Sequence, residues 1–520
     1  MALTGLMGDG VERVMGFRGP SANHVVVVGA GLAGLSAALH LAGRGRQVTV
    51  VERDAVPGGR VGRVDTRGYR LDTGPTVLTM PDIIDDTFAA VGADRAHRLE
   101  LLPVDPAYHA TFADGSALDV HSDAGRMADA VEAFAGRDQA AGYLRLRDWL
   151  TRLYRTEFDG FIAANFDSPL SLVTPQLARL AALGGFRRWA RVVERFITDE
   201  RLRRVFTFQS LYAGVPPHRA LAVYAVIAYM DTVAGVYFPR GGMRALPDAL
   251  AAAAIDAGVR FEYSSPVTAL ERSGDRVTAV HTDGGNRVEC DAVVLTTELP
   301  QTYRLLSRTP RRPLRLRPAP SAVVAHFGCK PVNPGAHHTI LFGAAWQQTF
   351  DDIIRAGRPM ADPSLLVTRP TAGDPSLAPD GRELLYVLAP APNLTRGDLD
   401  WDAIADTYAA EMLDIVRARL PEIGDDTELL HVVTPADWAR QGMVAGTPFA
   451  LAHTFGQTGP FRPANTVRGV ANAVLAGSST VPGVGVPTAM LSGRLAADRI
   501  TGPVRGRPAR RIIAPEGRTA

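Results

Sequence analysis

The sequence predicts an α/β fold: a Rossmann-like dinucleotide-binding domain with a second, α+β domain inserted into it. Three observations predict this. A strand, glycine turn, helix, strand and acid follow one another between His24 and Glu52. A helical stretch from about Asp123 to Glu200 departs from that pattern. A second strand, glycine loop and helix return near the C-terminus, from Val474 to Ile500.

The opening unit is ordered as a nucleotide site requires. Val25 to Val28 is a short β-branched run, suited to a buried parallel strand. Gly29, Gly31 and Gly34 have the dinucleotide spacing. The first permits a tight turn, the second lets a pyrophosphate approach the backbone, and the third lets helix and strand pack closely. A helix over about Leu32 to Ala42 would aim its free N–H groups at that phosphate. Val48 to Val51 is the second strand, and Glu52 ends it where an acid holds a ribose hydroxyl pair. A plainer α/β unit, with glycines for packing alone, would not need that acid.

At 520 residues the chain has room for two domains or more. With 46% hydrophobic and 21% charged residues, a large core is expected, and the net charge of +2 gives no footprint for nucleic acid. Two cysteines, Cys290 and Cys329, fit a reducing compartment and are too few for a disulfide framework. No run reaches the roughly 18–20 apolar residues of a spanning helix. Residues 1–22 lack the basic and apolar regions of a secretory signal and read as a disordered leader. A site facing the cytosol, free or on a membrane surface, is expected.

Along the chain, Gly58, Gly59 and Arg60 make a sharp loop with a phosphate-pairing arginine. Gly68 to Leu78 places turn residues around a short strand, including Asp72, Gly74 and Pro75. Pro81 to Gly92 reads as a helix, and Ala107 to Val120 as a hairpin turning at Asp114-Gly115. Leu177 to Arg204 carries eight arginines among Phe186, Trp189, Val192, Val193, Phe196 and Ile197. It reads either as a basic amphipathic helix on an anionic bilayer or as a solvated face over ordinary core. The apolar run Ala220 to Met230 precedes Gly235-Val-Tyr-Phe-Pro-Arg-Gly-Gly. Asp248 to Ala257 reads as a helix. Arg260 to Tyr263, Val267 to Arg272, Val277 to Thr282 and Arg287 to Leu295 read as strands. Ala322 to Phe327, Leu365 to Thr368 and Leu384 to Leu388 are strand-like pieces of the second domain. Adjacent His337 and His338 would point opposite ways in a strand, and no acid joins them, so no metal is expected. Leu429 to Thr434 reads as a return to the first domain, and residues 502–520 as a disordered basic tail.

The glutamate-ended unit, Gly-Gly-Arg60, Leu-Asp-Thr-Gly-Pro75, Tyr237-Phe-Pro-Arg-Gly-Gly242 and the loop from Gly477 to Pro487 together resemble the bacterial-type phytoene desaturases. These are FAD-dependent carotenoid desaturases of the amine-oxidase flavoprotein superfamily. The likeness runs from His24 to Ile500. It implies a glutathione-reductase-2 type FAD domain with an inserted substrate domain. The implied FAD segments are 23–105, 245–300 and 429–501, and the implied substrate and membrane segments are 106–244 and 301–428. It implies FAD held by Gly29, Gly31, Gly34, Glu52, Gly59, Arg60, Gly74, Pro75, Val267, Gly477, Ser478 and Val484. Ser478 stands where many amine oxidases have an acid, which removes one carboxylate contact to the cofactor. Asp148 falls on a family acid placed near the flavin; a surface pair with Arg152 is the plainer reading.

The implied reaction is stepwise desaturation of 15-cis-phytoene toward neurosporene or lycopene. The protein would sit peripherally on the cell membrane and pass electrons to a quinone or to oxygen, since only one nucleotide fingerprint is present. Sister readings are a desaturase or isomerase of another carotenoid, such as dehydrosqualene or hydroxyneurosporene, and an amine oxidase. A flavin-free binder of prenylated partners would have lost the glycine triplet, Glu52 or Arg60, and all are intact.

Overall fold

The β-branched runs that open and close the nucleotide unit assemble into one five-stranded parallel sheet. Its order is Ala473–Leu475, Ala292–Leu295, His24–Val28, Gln47–Val51, Arg260–Glu262. The first strand is central, with Val27 in register with Val294 on one side and Val50 on the other. Val25, Val26 and Val27 are fully buried, as both faces are covered. The computed structural model describes residues 22–166, 172–312, 315–332 and 335–503. The leader and the basic tail lie outside them, apart from residues 22, 502 and 503.

The helix Leu32–Ala42 covers this sheet and packs against the C-terminal helix Val486–Thr501. A Cβ at Gly493 would come within 2.2 Å of the Ala33 carbonyl oxygen, so only glycine allows that approach. Ser36 Oγ donates to the Met490 carbonyl at 2.7 Å across the same seam. The first and last helices are thereby fixed to each other.

A second, seven-stranded sheet is mostly antiparallel. Its order is Thr427–Val433, Ser321–Cys329, Glu383–Ala391, Leu365–Thr368, His338–Leu341, Tyr108–Thr111, Ala117–Val120. One parallel junction, Thr339 beside His109, joins the early hairpin to the late strands. Helices from Ala124 to Val205 pack beside it.

Three expectations are corrected here. Thr427–Val433 pairs with Ser321–Cys329 in the seven-stranded sheet and does not return to the parallel one. Arg287 to Leu295 is two strands, because the chain changes sheets at Asp291, whose carboxylate accepts the Asn23 and His24 N–H groups at 2.9 Å. The basic stretch is three short helices, Pro175–Ala182, Trp189–Val193 and Glu200–Val205, and not one amphipathic rod. Trp189, Val192, Val193 and Ile197 are buried in the core. Arg201 pairs with Asp199 and Asp114, and Arg204 with Glu200.

Candidate active site

A cavity of about 1140 Å³ begins at the C-terminal ends of the parallel strands, where open α/β sheets bind ligands. Gly29 turns the chain there with φ +104°, and a Cβ on it would strike Thr296 Oγ1 at 2.3 Å. Gly34 lies one turn into the helix, where a Cβ would sit 1.9 Å from the Gly29 carbonyl. Gly31 differs. A Cβ there meets nothing closer than 3.9 Å, so its bareness serves no protein contact and leaves space for a ligand. Gly31 bridges to Gly58, which brings the Gly58-Gly59-Arg60 loop beside it.

Glu52 is buried, and both its oxygens accept backbone N–H groups, from Ala30 at 2.5 Å and Asp54 at 2.9 Å. It therefore braces the glycine turn while facing the cavity. Arg60 pairs with Glu298, the N-cap residue of the helix Leu299–Leu305 that follows the strand Ala292–Leu295. Gly74 lies against the Arg60 carbonyl, and its own carbonyl accepts the Tyr386 hydroxyl at 2.9 Å. Val267, Gly477, Ser478 and Val484 complete this end. Of the cofactor candidates read from sequence, all but Gly34 line the cavity, and Gly34 supports its rim.

Sequence reasoning passed over Arg462. It is 1% exposed and donates to the carbonyls of Thr480 at 2.8 Å and Ser478 at 2.6 Å, so it holds the C-terminal glycine loop in shape. Burial pulls its guanidinium down to about 10.

The cavity continues into an apolar half. Leu221, Val223, Val226, Ile227 and Met230 form one wall, which the apolar run supplies. Phe161, Ile162, Leu177 and Leu180 form another. Phe186, Phe455 and Phe461 also line it, yet are 45%, 62% and 43% exposed. They mark an open mouth rimmed by aromatic rings.

Two carboxyls sit in this apolar half, and neither was singled out from sequence. Glu157 ends the helix Arg137–Glu157, where the chain loosens into a π turn, Phe158–Ile162. Asp231 lies in a second π turn, Met230–Ala234, directly after the apolar run. Tyr154 and Tyr229 stack at 4.3 Å and lock the two helices together. Both carboxyls line the cavity, and Glu157 Oε1 and Asp231 Oδ2 have no protein partner. Burial pushes Glu157 well above the usual carboxylate range. It pushes Asp231 up to about 7, with Tyr108 and Gln209 pulling the other way. An acid closing an apolar run was the available signal for Asp231; Glu157 offered none.

Asp148 is not brought to the site. Its side chain is 65% exposed, and its carboxylate pairs with Arg152 at 2.8 Å, one helical turn on. His337 and His338 also differ from expectation. His337 precedes the strand that begins at His338, so its ring is free to turn back, and its Nδ1 lies 3.2 Å from His338 Nε2. Among the described residues no group of three or more His, Cys, Asp or Glu is arranged to hold a metal. Cys290 and Cys329 are buried free thiols. No helix among the described residues is long and apolar enough to cross a membrane.

Known proteins are similar to this chain in sequence and in fold. The profile of the flavin-containing amine oxidoreductases matches residues 32–501. A phytoene dehydrogenase of Streptomyces griseus is 62% identical over 507 residues, covering 97% of this chain and 99% of that protein. A zeta-carotene-forming phytoene desaturase of Myxococcus xanthus is 38% identical, covering 92% of this chain and 93% of its own. Among solved structures, a triple mutant of putrescine oxidase superposes with TM-score 0.59 at 18% identity, covering 92% of this chain and 98% of the other.

Proposed function

The chain belongs to the flavin-containing amine oxidoreductases, and we propose that it is a phytoene desaturase of carotenoid biosynthesis that uses FAD. One observation carries this reading: a single cavity runs from a dinucleotide cradle to an open apolar mouth. At about 1140 Å³ it exceeds the ~300–1,000 Å³ of ordinary ligand pockets, as a site for both a dinucleotide and a long hydrocarbon should.

The residues fit FAD. The open space at Gly31 accepts the diphosphate, with the N-terminal N–H groups of the following helix aimed at it. In this reading Glu52 takes the ribose, Arg60 the diphosphate and Val267 the adenine end; all three line the cavity. Gly74, Pro75, Gly477, Ser478 and Val484 border the path into the apolar half, where a flavin ring would meet substrate. When bound, the flavin supplies the hydride acceptor.

The protein's own task is then to hold a polyene dry and in register. A hydrocarbon offers no polar handle, so apolar walls must do the holding and a lipid bilayer must supply the substrate. The exposed rings of Phe186, Phe455 and Phe461 suit contact with lipid at the mouth. Electrons leave to a quinone or to oxygen. We further propose that FAD segments 23–105, 245–300 and a last segment beginning beyond Val433 enclose a substrate domain, since Thr427–Val433 pairs in the seven-stranded sheet.

The test is anaerobic incubation of the FAD-loaded protein with phytoene in liposomes, followed by pigment extraction. Flavin bleaching with new, longer polyene chromophores is expected, and the chromophores give the number of bonds added. Bleaching by an amine and not by phytoene would overturn the reading.

A further inference from the structure

The floor of the apolar half runs on past the end of the cavity. In the seven-stranded sheet Val433 is in register with Val324, Val324 with Leu388, Leu388 with Leu366, and Leu366 with Ile340. Directly opposed residues share one face of a sheet, so these side chains form a single apolar row across it. Val433 and Val324 line the main cavity. Ile340 lines a second, separate cavity of about 50 Å³. Leu388 and Leu366 line both, and so do Tyr212 and Phe449. These four residues are the wall between the two spaces.

The small chamber suits hydrocarbon. Aromatic rings bound it: Phe208 meets Tyr212 and Phe342 edge-on at 6.0 and 6.2 Å, and Phe342 meets Trp346 edge-on at 5.4 Å. Its two serines are already engaged. Ser321 Oγ donates to the Gly446 carbonyl, and Ser364 Oγ accepts the Gly343 N–H at 3.1 Å, so neither calls for water. One water-sized group needs ~10–15 Å³, so the chamber holds roughly four such groups, close to one isoprene unit.

We propose that Leu366, Leu388, Tyr212 and Phe449 form a stop against which the leading end of the polyene rests, and that this stop sets how long an arm fits beyond the reacting bond. This rests on the desaturase reading. A polyene has no polar group to fix its position along the cavity, so its end must serve as the reference. The wall stands near the reacting position. Tyr386 precedes Leu388 by two residues, on the same strand and face, and its hydroxyl donates to the Gly74 carbonyl at the path into the apolar half. The wall is also firm: strand register holds Leu366 against Leu388, and aromatic rings back it. With the wall open, the row would continue to Ile340, two strand spacings or about 10 Å beyond Leu388. These are specificity-determining residues; the stop takes no part in moving hydride or proton.

The test opens the wall and then closes it from behind. Leu366→Ala with Leu388→Ala joins the two spaces. The FAD-loaded protein is assayed in liposomes with phytoene and with a homologue one isoprene unit longer at each end. The ratio of kcat/KM, homologue over phytoene, is expected to rise about tenfold or more, as even one methylene admitted to an apolar pocket changes selectivity by roughly that factor. Adding Ile340→Phe, which refills the chamber, should return the ratio to near the wild-type value. Flavin content and circular dichroism report folding, and either alanine alone serves if the pair does not fold. A second readout needs no turnover. The dithionite-reduced holoenzyme accepts no hydride, and the amounts of the two hydrocarbons it retains from liposomes should shift in the same direction. An unchanged ratio in the folded alanine variant, or a raised ratio that Ile340→Phe leaves raised, would overturn the stop. Absence of phytoene turnover in the wild type would instead overturn the desaturase reading, and retention would still judge the stop.

Discussion

At the nucleotide end of the cavity the protein works with its backbone, and at the apolar end with side chains borne on interrupted helices. The first end is made of bare glycines, a braced glutamate and oriented N–H groups, with its polar atoms largely partnered. The second is made of aliphatic and aromatic walls in which one oxygen each of Glu157 and Asp231 is left without a partner. A phosphate is recognised by close approach, which only certain residues permit. A hydrocarbon is recognised by volume, which many residues can enclose. Substitutions at the two ends should therefore fail in different ways.

The largest effect is expected at the cradle. Gly31→Val should fold and lose flavin, with affinity down by roughly a hundredfold or more, because its side chain enters ligand space and not protein. Gly34→Val should not fold stably, because its Cβ meets the Gly29 carbonyl. Visible absorbance and circular dichroism of the purified variants separate the two. A yellow Gly31→Val protein with wild-type flavin content would break the comparison.

Next comes the apolar end. Asp231 in the unfolded chain has an ordinary carboxylate pKa, and in the fold it is pushed up to about 7. Between those values the folded state holds a proton that the unfolded state has lost. Stability from this group is thus full below the unfolded pKa and falls as pH rises toward 7, by about 1.4 kcal/mol per unit at the steepest. Asp231→Asn removes this slope. Urea midpoints at pH 5 and pH 8 should show the wild type losing on the order of 2–3 kcal/mol more than the variant. Equal losses would mean that the carboxyl is solvated.

A smaller effect is expected at the mouth. Phe455→Ser with Phe461→Ser should weaken liposome sedimentation by about tenfold and leave flavin content unchanged. The smallest is at Asp148. Its exposed pair with Arg152 is worth only about 0.3–0.5 kcal/mol, so Asp148→Asn should leave phytoene turnover and thermal midpoint near wild type.

The same contrast explains what could be read from sequence. The strand, glycine turn, helix and Glu52 were legible because each step of that geometry demands a residue type. The hairpin around Asp114-Gly115 was legible for the same reason. Glu157 was not, because burial of a lone acid depends on helices that pack only in three dimensions. The basic stretch misled because arginine spacing does not reveal partners: Asp114, which pairs with Arg201, lies 87 residues away in sequence. The break at Asp291 was hidden because both halves have strand composition, and only its bonds to Asn23 and His24 fix the change of sheet.

The seam between the first and last helices has a consequence for biosynthesis. The central strand must wait for Ala292–Leu295, and the opening helix for Val486–Thr501, before the cradle is complete. The hairpin at Tyr108 to Val120 likewise waits for His338–Leu341. At ribosomal speeds this leaves the N-terminal unit without its neighbours for roughly half a minute or more. The nascent chain must keep its valine-rich strands from strangers throughout, and cofactor loading belongs to the finished polypeptide.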